Sequence, residues 1–410
     1  MPAIAPFGQP LYVMLKPAGA HCNLACRYCY YLEKGQLASE RTDGNLDDAL
    51  LEEFTRQYIA LQPVPQVLFT WHGGEPLLRP MGFYRRALEL QRKYAGGRQI
   101  DNCLQTNGTL LTDAWCEFLR ENQFLVGISI DGPQEFHDRF RRTRGGGPTF
   151  REVMRGIELL QKHGVEWNAM AVVNAFNAGH PLEFYRFFRS IDCRYIQFTP
   201  VVERLVARAD GLTLAPGMSG WTDADSARQA VADFSVTPDQ WGDFLCALYD
   251  EWVCRDVGET YVQLFDATLA NWAGVAPGIC SLSARCGHAA VLEANGDLYA
   301  CDHFVYPEYR IGNIRRQPLQ ELMHGKQQYR FGIAKQDALP RQCRECRFLF
   351  ACHGECPKNR FLYDAYGQPG LNYLCRGYRR FFGHVAADMD YMKAELDAGR
   401  APANIMARKG

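Results

Sequence analysis

Short runs of β-branched and aromatic residues alternate with helical faces from residue 11 to about 203. "LYVMLKP" at 11–17 reads as a strand. "DDALLEEFTRQYIAL" then puts Leu50, Leu51, Phe54, Tyr58 and Leu61 on one helical face. "QVLFTWHGG" is the next strand and "FYRRALELQRKY" the next helix. "IDNCLQTNGT" leads into "DAWCEFLREN", a helix with Thr112 as its N-cap. "FLVGISIDGP" is a strand, and "TFREVMRGIELLQKHG" a helix closed by Gly164. "VEWNAMAVVN", "LEFYRFFRS" and "YIQFTPVVE" complete six βα steps, the last strand ending near Val202. That rhythm predicts a parallel sheet with crossover helices. Six steps fit an open, partial (β/α)6 barrel of the TIM type better than a closed eight-fold one.

Residues 204–235 lose the rhythm and read as a loop or insertion at a domain boundary. A clean helix start follows: Thr237 as N-cap, Pro238 at the first position, and Gln240 completing a capping box. "AAVLEANGDLYACD" alternates and turns at Asn295–Gly296, a hairpin signal. The predicted organisation is a barrel domain over 1–235, a linking helical region over 236–279, and a small, loop-rich, cysteine-rich domain with a C-terminal helix over 280–410.

The 410 residues carry 45 basic and 46 acidic side chains, a formal charge of −1, so no global electrostatic case exists for nucleic acid or an anionic membrane. No run reaches the length of a membrane span and the start lacks a secretory pattern, which predicts a cytoplasmic enzyme. Sixteen cysteines then call for a metal explanation, since the reducing cytoplasm disfavours disulfides. Cys103, Cys116, Cys193, Cys246 and Cys254 sit in apolar patterns and read as small core residues.

The other eleven are grouped. "HCNLACRYCYY" places Cys22, Cys26 and Cys29 in a C-x3-C-x2-C array after the first strand. A structural zinc site normally takes four protein ligands, so three thiolates make either a site with an open position or a zinc knuckle completed by, for example, His21. In the C-terminal region Cys280, Cys286, Cys301, Cys343, Cys346, Cys352, Cys356 and Cys375 suffice for two four-thiolate sites. Spacing alone selects neither the pairing nor iron over zinc.

The N-terminal array resembles the signature of radical S-adenosylmethionine (SAM) enzymes. The resemblance implies that Cys22, Cys26 and Cys29 hold three irons of a [4Fe–4S] cluster and leave the fourth to SAM. It further implies SAM contacts from Tyr28, from Gly73, Gly74 and Glu75 of "GGEP", from Ser129 in "GISIDGP", from Arg141 in "HDRFRR", and from Val202 as an adenine wall. The C-terminal array is similar to the SPASM extension of peptide-modifying relatives, which implies two auxiliary [4Fe–4S] clusters. Cys280, Cys286, Cys301 and Cys356 would hold the first, and Cys343, Cys346, Cys352 and Cys375 the second, making three [4Fe–4S] clusters in all.

"KPAGAHCNLACRYCYYLEK", "TWHGGEP", "LQTNGTLL", "ACDHFVYPEYRIGNI", "CHGECPKNR" and "GLNYLCRGY" together resemble the anaerobic sulfatase-maturating enzymes. Those proteins oxidise a cysteine or serine of a sulfatase to Cα-formylglycine. The resemblance makes Asp302, in the "Cys-Asp" pair, the general base. It implies hydrogen abstraction from the target Cβ by a radical derived from SAM, and passage of the surplus electron to an auxiliary cluster. The implied partners are an unfolded or nascent sulfatase segment with a Cys/Ser-x-Pro/Ala-x-Arg motif and a flavodoxin- or ferredoxin-type electron donor. His72 departs from the pattern, since some relatives carry glutamine there. Two rival readings stand beside this one. One is a SPASM-type maturase that forms a thioether or carbon–carbon crosslink; the other is a non-catalytic iron–sulfur carrier or zinc scaffold, which would need no SAM pocket.

Overall fold

The computed structural model describes residues 10–34, 44–206, 213–215 and 220–409. Along the chain, β1 (Tyr12–Leu15), α1 (Asp48–Leu61), β2 (Gln66–Trp71), α2 (Met81–Tyr94), β3 (Gln99–Thr106), α3 (Asp113–Glu121) and β4 (Leu125–Ser129) come first. They are followed by α4 (Gln134–Phe140), α5 (Phe150–His163), β5 (Trp167–Val173), α6 (Pro181–Ser190) and β6 (Tyr195–Pro200). This is the alternating α/β architecture that the sequence predicts, with one added helix, α4. Val202 lies two residues beyond the last strand rather than at its tip.

The chain forms two compact units. The first comprises Met1–Ser129, Asp138–Trp167 and Cys286–Ala334; the second comprises Ile130–His137, Asn168–Arg285 and Lys335–Gly410. These units interleave in sequence and do not coincide with the segments 1–235, 236–279 and 280–410.

In the first unit β1 to β4 pair in parallel, with Met14 beside Thr70, Phe69 beside Asn102 and Leu104 beside Val126. Strand Ala289–Leu292 joins the other edge of β1, also in parallel, with Leu15 opposite Leu292. It then turns back into Asp297–Tyr299 through the hairpin at Asn295–Gly296, where Gly296 has φ +95°. One face of the sheet packs on α1 and α2 through Phe54, Tyr58, Phe69, Trp71 and Tyr84, all essentially buried. Each such ring contributes roughly 2–3 kcal/mol by leaving water. The polar Asn102 within this layer is satisfied by Trp71 Nε1 at 2.8 Å and Gln91 at 2.9 Å.

In the second unit β5 and β6 are parallel, and helix α7 (Pro238–Arg255) begins with the predicted box: Thr237 and Gln240 cap each other's backbone. The C-terminal helix Cys375–Asp397 crosses α7 at a pair of glycines. A Cβ on Gly377 would stand 2.3 Å from the Pro238 carbonyl, so only glycine permits this approach. Tyr249, Phe265 and Phe381 fill the contact beside it. Among the described residues no helix is long and apolar enough to cross a membrane.

Candidate active site and cysteine centres

The cysteine loop leaves β1 at Lys16 and is clamped by the loop after β2. His72 N–H donates to the Leu15 carbonyl at 2.9 Å, Gly74 N–H to Gly19 at 2.9 Å, and Glu75 N–H to His21 at 2.7 Å. Gly73 has φ +142°, and a Cβ on Gly74 would sit 2.0 Å from the His21 carbonyl oxygen. The two glycines of "GGEP" therefore let one backbone lie directly against the loop that carries Cys22, Cys26 and Cys29. The Glu75 carboxylate is wholly buried and accepts from Leu77 N–H (2.9 Å), Thr106 Oγ1 (2.7 Å) and Asn107 N–H (2.8 Å). Burial pushes it up to about 7 despite these donors.

Within the loop, Leu24 N–H points at Cys22 Sγ (3.4 Å) and Asn107 Nδ2 lies 3.8 Å from it. Burial raises the Cys22 thiol, while these N–H groups act in the opposite sense. Sulfur supplied with backbone and amide donors fits a ligand that must be a thiolate. Tyr28 is buried against Phe140, and the Arg141 guanidinium stands 5.5 Å from its ring centre. Ser129 ends β4 and accepts from Gln105 at 3.0 Å. The structure thus gathers Tyr28, Gly73, Gly74, Glu75, Ser129 and Arg141 in the first unit. Val202 belongs to the second, where its carbonyl accepts from Lys358 at 2.5 Å.

Asp302 follows Cys301 in a short 3-10 turn and is the centre of a polar cluster that the sequence did not announce. Lys16, with no exposed side-chain surface, puts its ammonium 2.7 Å from Asp302 Oδ1. The contact is one of charge, because Oδ1 accepts no hydrogen bond of good geometry. Tyr30 donates its hydroxyl to Oδ2, and Lys34 reaches the Asp302 carbonyl at 3.4 Å. Behind them Lys16 lies over the Tyr31 ring, whose hydroxyl donates to Glu293. Tyr31 packs with Val291, Tyr299 and Val305 in an apolar cluster that also touches Cys29.

Burial would push Asp302 up, but Lys16, His72, His303 and Lys34 together hold it well below the usual carboxylate range. Burial and the neighbouring Lys16 press His72 down to about 4, so near neutral pH it is uncharged. Lys16 is accordingly the main source of positive charge at Asp302. Tyr30, buried beside that carboxylate, is raised well above the phenol range and stays a donor.

In the second unit Cys343 lies within electrostatic reach of Cys346, Cys352 and Cys375, and Cys375 within reach of Cys346 and Cys352. Burial first, and neighbouring sulfurs second, raise Cys343 to about 11 and Cys375 to about 12. Cys343, Cys352 and Cys375, each raised by burial and by neighbouring sulfurs, belong with Cys346 to a set that a multivalent iron centre would relieve. Of the other proposed set, Cys280 and Cys356 belong to the second unit, and Cys286 and Cys301 to the first. Among the described residues no three His, Cys, Asp or Glu side chains converge on the position of one metal ion. Of the five cysteines assigned to the core, Cys116, Cys193 and Cys246 are buried and Cys103 and Cys254 partly so.

Comparison with known proteins matches residues 17–188 to the radical SAM superfamily and residues 284–347 to an iron–sulfur cluster-binding domain, SPASM. The serine-type anaerobic sulfatase-maturating enzyme of Bacteroides thetaiotaomicron is 62% identical over 402 residues, covering 98% of this chain and 96% of its own. The chain belongs to the anaerobic sulfatase-maturating enzymes. A cysteine-type member from Clostridium perfringens is 31% identical over 379 residues, covering 92% of this chain and 96% of that one. A solved structure of anSMEcpe with bound AdoMet and a peptide superposes with a TM-score of 0.81 at 30% identity, over 94% of this chain and 100% of that one. This sulfatase-maturating enzyme is therefore a radical SAM enzyme with an iron–sulfur-binding SPASM region. Lys16, Tyr30 and Tyr31 escaped the sequence reading. The only signals were a lysine at a strand end and a tyrosine pair after Cys29.

Proposed function

We propose that the protein oxidises the target serine or cysteine of a sulfatase segment, in a Cys/Ser-x-Pro/Ala-x-Arg context, to Cα-formylglycine, with serine favoured by the serine-type relative at 62% identity. In this reading Cys22, Cys26 and Cys29 carry the SAM-binding cluster. Tyr28, Gly73, Gly74, Glu75, Ser129, Arg141 and Val202 surround SAM. Cys280, Cys286, Cys301 and Cys356 hold one auxiliary cluster, and Cys343, Cys346, Cys352 and Cys375 the other, three [4Fe–4S] clusters in total. The barrel function belongs to 1–235 and the auxiliary clusters to 280–410, with 236–279 linking them. A flavodoxin- or ferredoxin-type protein supplies electrons in the cytoplasm.

The observation that carries the chemistry is the state of Asp302, an ionised carboxylate beside a proposed cluster ligand, with Lys16 against Oδ1 and the Tyr30 hydroxyl on Oδ2. When bound, the reduced cluster and SAM supply hydrogen-atom abstraction at the substrate Cβ. Asp302 takes the hydroxyl or thiol proton, Tyr30 fixes Oδ2, and Lys16 keeps the carboxylate charged before the proton arrives; the electron left on the substrate would pass to an auxiliary cluster, and a cysteine-derived thioaldehyde would lose its sulfur to water as sulfide. Glu75 braces the cysteine loop against the ends of β2 and β3 through its three hydrogen bonds.

The test is an anaerobic incubation of iron-loaded protein, SAM and reductant with two peptides that differ only in Ser or Cys at the target position. Mass spectrometry should find an aldehyde on the serine peptide. An unmodified peptide, or an intramolecular thioether instead of an aldehyde, would overturn the reading.

A further inference from the structure

Arg360 is 3% exposed and starts the strand Arg360–Tyr363 in the second unit. Its guanidinium makes four hydrogen bonds, all to main-chain carbonyls: Nε to Gly354 at 2.8 Å, Nη1 to Lys335 at 2.5 Å, and Nη2 to His353 at 2.7 Å and Glu355 at 3.0 Å. His353, Gly354 and Glu355 are the residues between Cys352 and Cys356. All three are left-handed, with φ +48°, +71° and +54°. Two of them are not glycine, and such conformations persist only where the surroundings impose them. At the glycine a Cβ would stand 2.6 Å from Arg360 Nη2 and 2.4 Å from Leu339. The strained turn between two cysteines is thus wrapped on one arginine.

Lys335, whose carbonyl receives Arg360, is itself fully buried. Its Nζ donates to the Cys280 carbonyl at 2.6 Å and the Ser281 carbonyl at 2.7 Å. Two basic side chains are therefore enclosed with neutral acceptors. Burying cations in this way is costly unless an anion shares the region. The Glu355 carboxylate, also buried, accepts from Asn372 at 2.8 Å. The anions close to Arg360 are the Glu355 carboxylate and the thiolates that Cys343, Cys352 and Cys356 become as ligands.

We propose that Arg360, with Lys335 behind it, is the built-in counter-charge of the auxiliary iron–sulfur clusters, holding the Cys352–Cys356 turn in its left-handed form and raising the clusters' reduction potential. This rests on the reading of these cysteines as cluster ligands. Arg360 and Lys335 are positioning residues: they touch neither substrate nor the reacting atoms. A cation fixed beside a cluster stabilises the form carrying the extra electron, so its removal makes reduction harder.

The experiment is a redox titration of the full-length, iron-loaded protein followed by electron paramagnetic resonance, with iron and sulfide analysis, for wild type, Arg360→Gln, Arg360→Lys and Lys335→Met. Wild-type iron no greater than one four-iron cluster can hold would show that the cluster reading itself has failed. With the clusters loaded, the expected result is an auxiliary signal at least tenfold less reduced at a fixed potential in Arg360→Gln and Lys335→Met, a shift of about 59 mV for one electron. Arg360→Lys should recover much of it, and the SAM-cluster signal should stay in place. Should Arg360→Gln lose auxiliary iron, recovery by Arg360→Lys, or a negative shift in Lys335→Met, supports the counter-charge. Unshifted potentials in loaded variants overturn the proposal. So does iron loss in both Arg360 variants with Lys335→Met unchanged, which would make Arg360 a turn brace only.

Discussion

Lys16 Nζ lies 2.7 Å from Asp302 Oδ1, and the lysine side chain has no exposed surface. A wholly buried lysine at the end of a central strand is costly unless an anion meets it, and here the anion is the carboxylate that the proposed chemistry needs. Replacing Lys16 by methionine removes the main positive charge facing Asp302. The Lys16→Met variant should lose about 3 kcal/mol in urea unfolding, the lower end for breaking a buried pair from one side. The double variant Lys16→Met with Asp302→Asn should lose less than the single one. A double variant that loses the sum of the Lys16→Met and Asp302→Asn losses measured singly would mean that the pair is not coupled.

Glu75 gives the protein a pH dependence with a definite sign. Its ordinary value is 4.5, and burial raises it to about 7 in the folded state. Between these values the folded state binds more protons than the unfolded one, so stability falls as pH rises through this window and levels off above it. The slope is worth up to roughly 3 kcal/mol at about 1.4 kcal/mol per unit. Urea midpoints of SAM-free protein between pH 5 and 8 should show the decline, and Glu75→Gln should flatten it. The absolute stability of that variant is a poorer guide, because an amide cannot accept the Asn107 N–H and the other two donors equally.

Gly74→Ala tests the clamp between the "GGEP" loop and the cysteine loop. The new methyl would meet the His21 carbonyl oxygen at 2.0 Å, and backbone cannot rotate aside as a side chain can. The expected result is a drop of about tenfold or more in 5′-deoxyadenosine formation, with iron lost from the Cys22–Cys29 loop and the iron of the SPASM region retained. Iron analysis of the variant against wild type checks it.

The start of α7 offers a contrast away from the site. Thr237→Ala removes a side chain that accepts from Gln240 N–H at 3.3 Å. Stability should fall by about 1 kcal/mol with turnover per folded molecule unchanged. Paired urea unfolding and peptide turnover separate the two effects.

What the sequence made legible is local. Thr112, Thr237 and Gly164 sit where capping chemistry requires, and the strands follow from the spacing of residues such as Val67, Phe69 and Trp71. What it hid is tertiary. Lys16 reads as an ordinary solvated lysine in "LYVMLKP" because Asp302 reaches it only through the pairing of Ala289–Leu292 with β1. The same holds for Tyr30 and Tyr31, which look like a continuation of the cysteine motif until their hydroxyls find Asp302 and Glu293. Arg360 is invisible for a further reason: its partners are carbonyls, and carbonyls leave no mark on composition. Helix α4 was missed because its seven residues are too short for a helical period to declare itself.

The central claim is that Asp302 is the base, and one variant addresses it directly. Asp302→Asn keeps the shape but removes the charge, and should be assayed anaerobically with SAM, reductant and the serine peptide. Formation of 5′-deoxyadenosine should continue while aldehyde formation falls by about 10²–10⁴. Aldehyde produced at the wild-type rate would contradict the account.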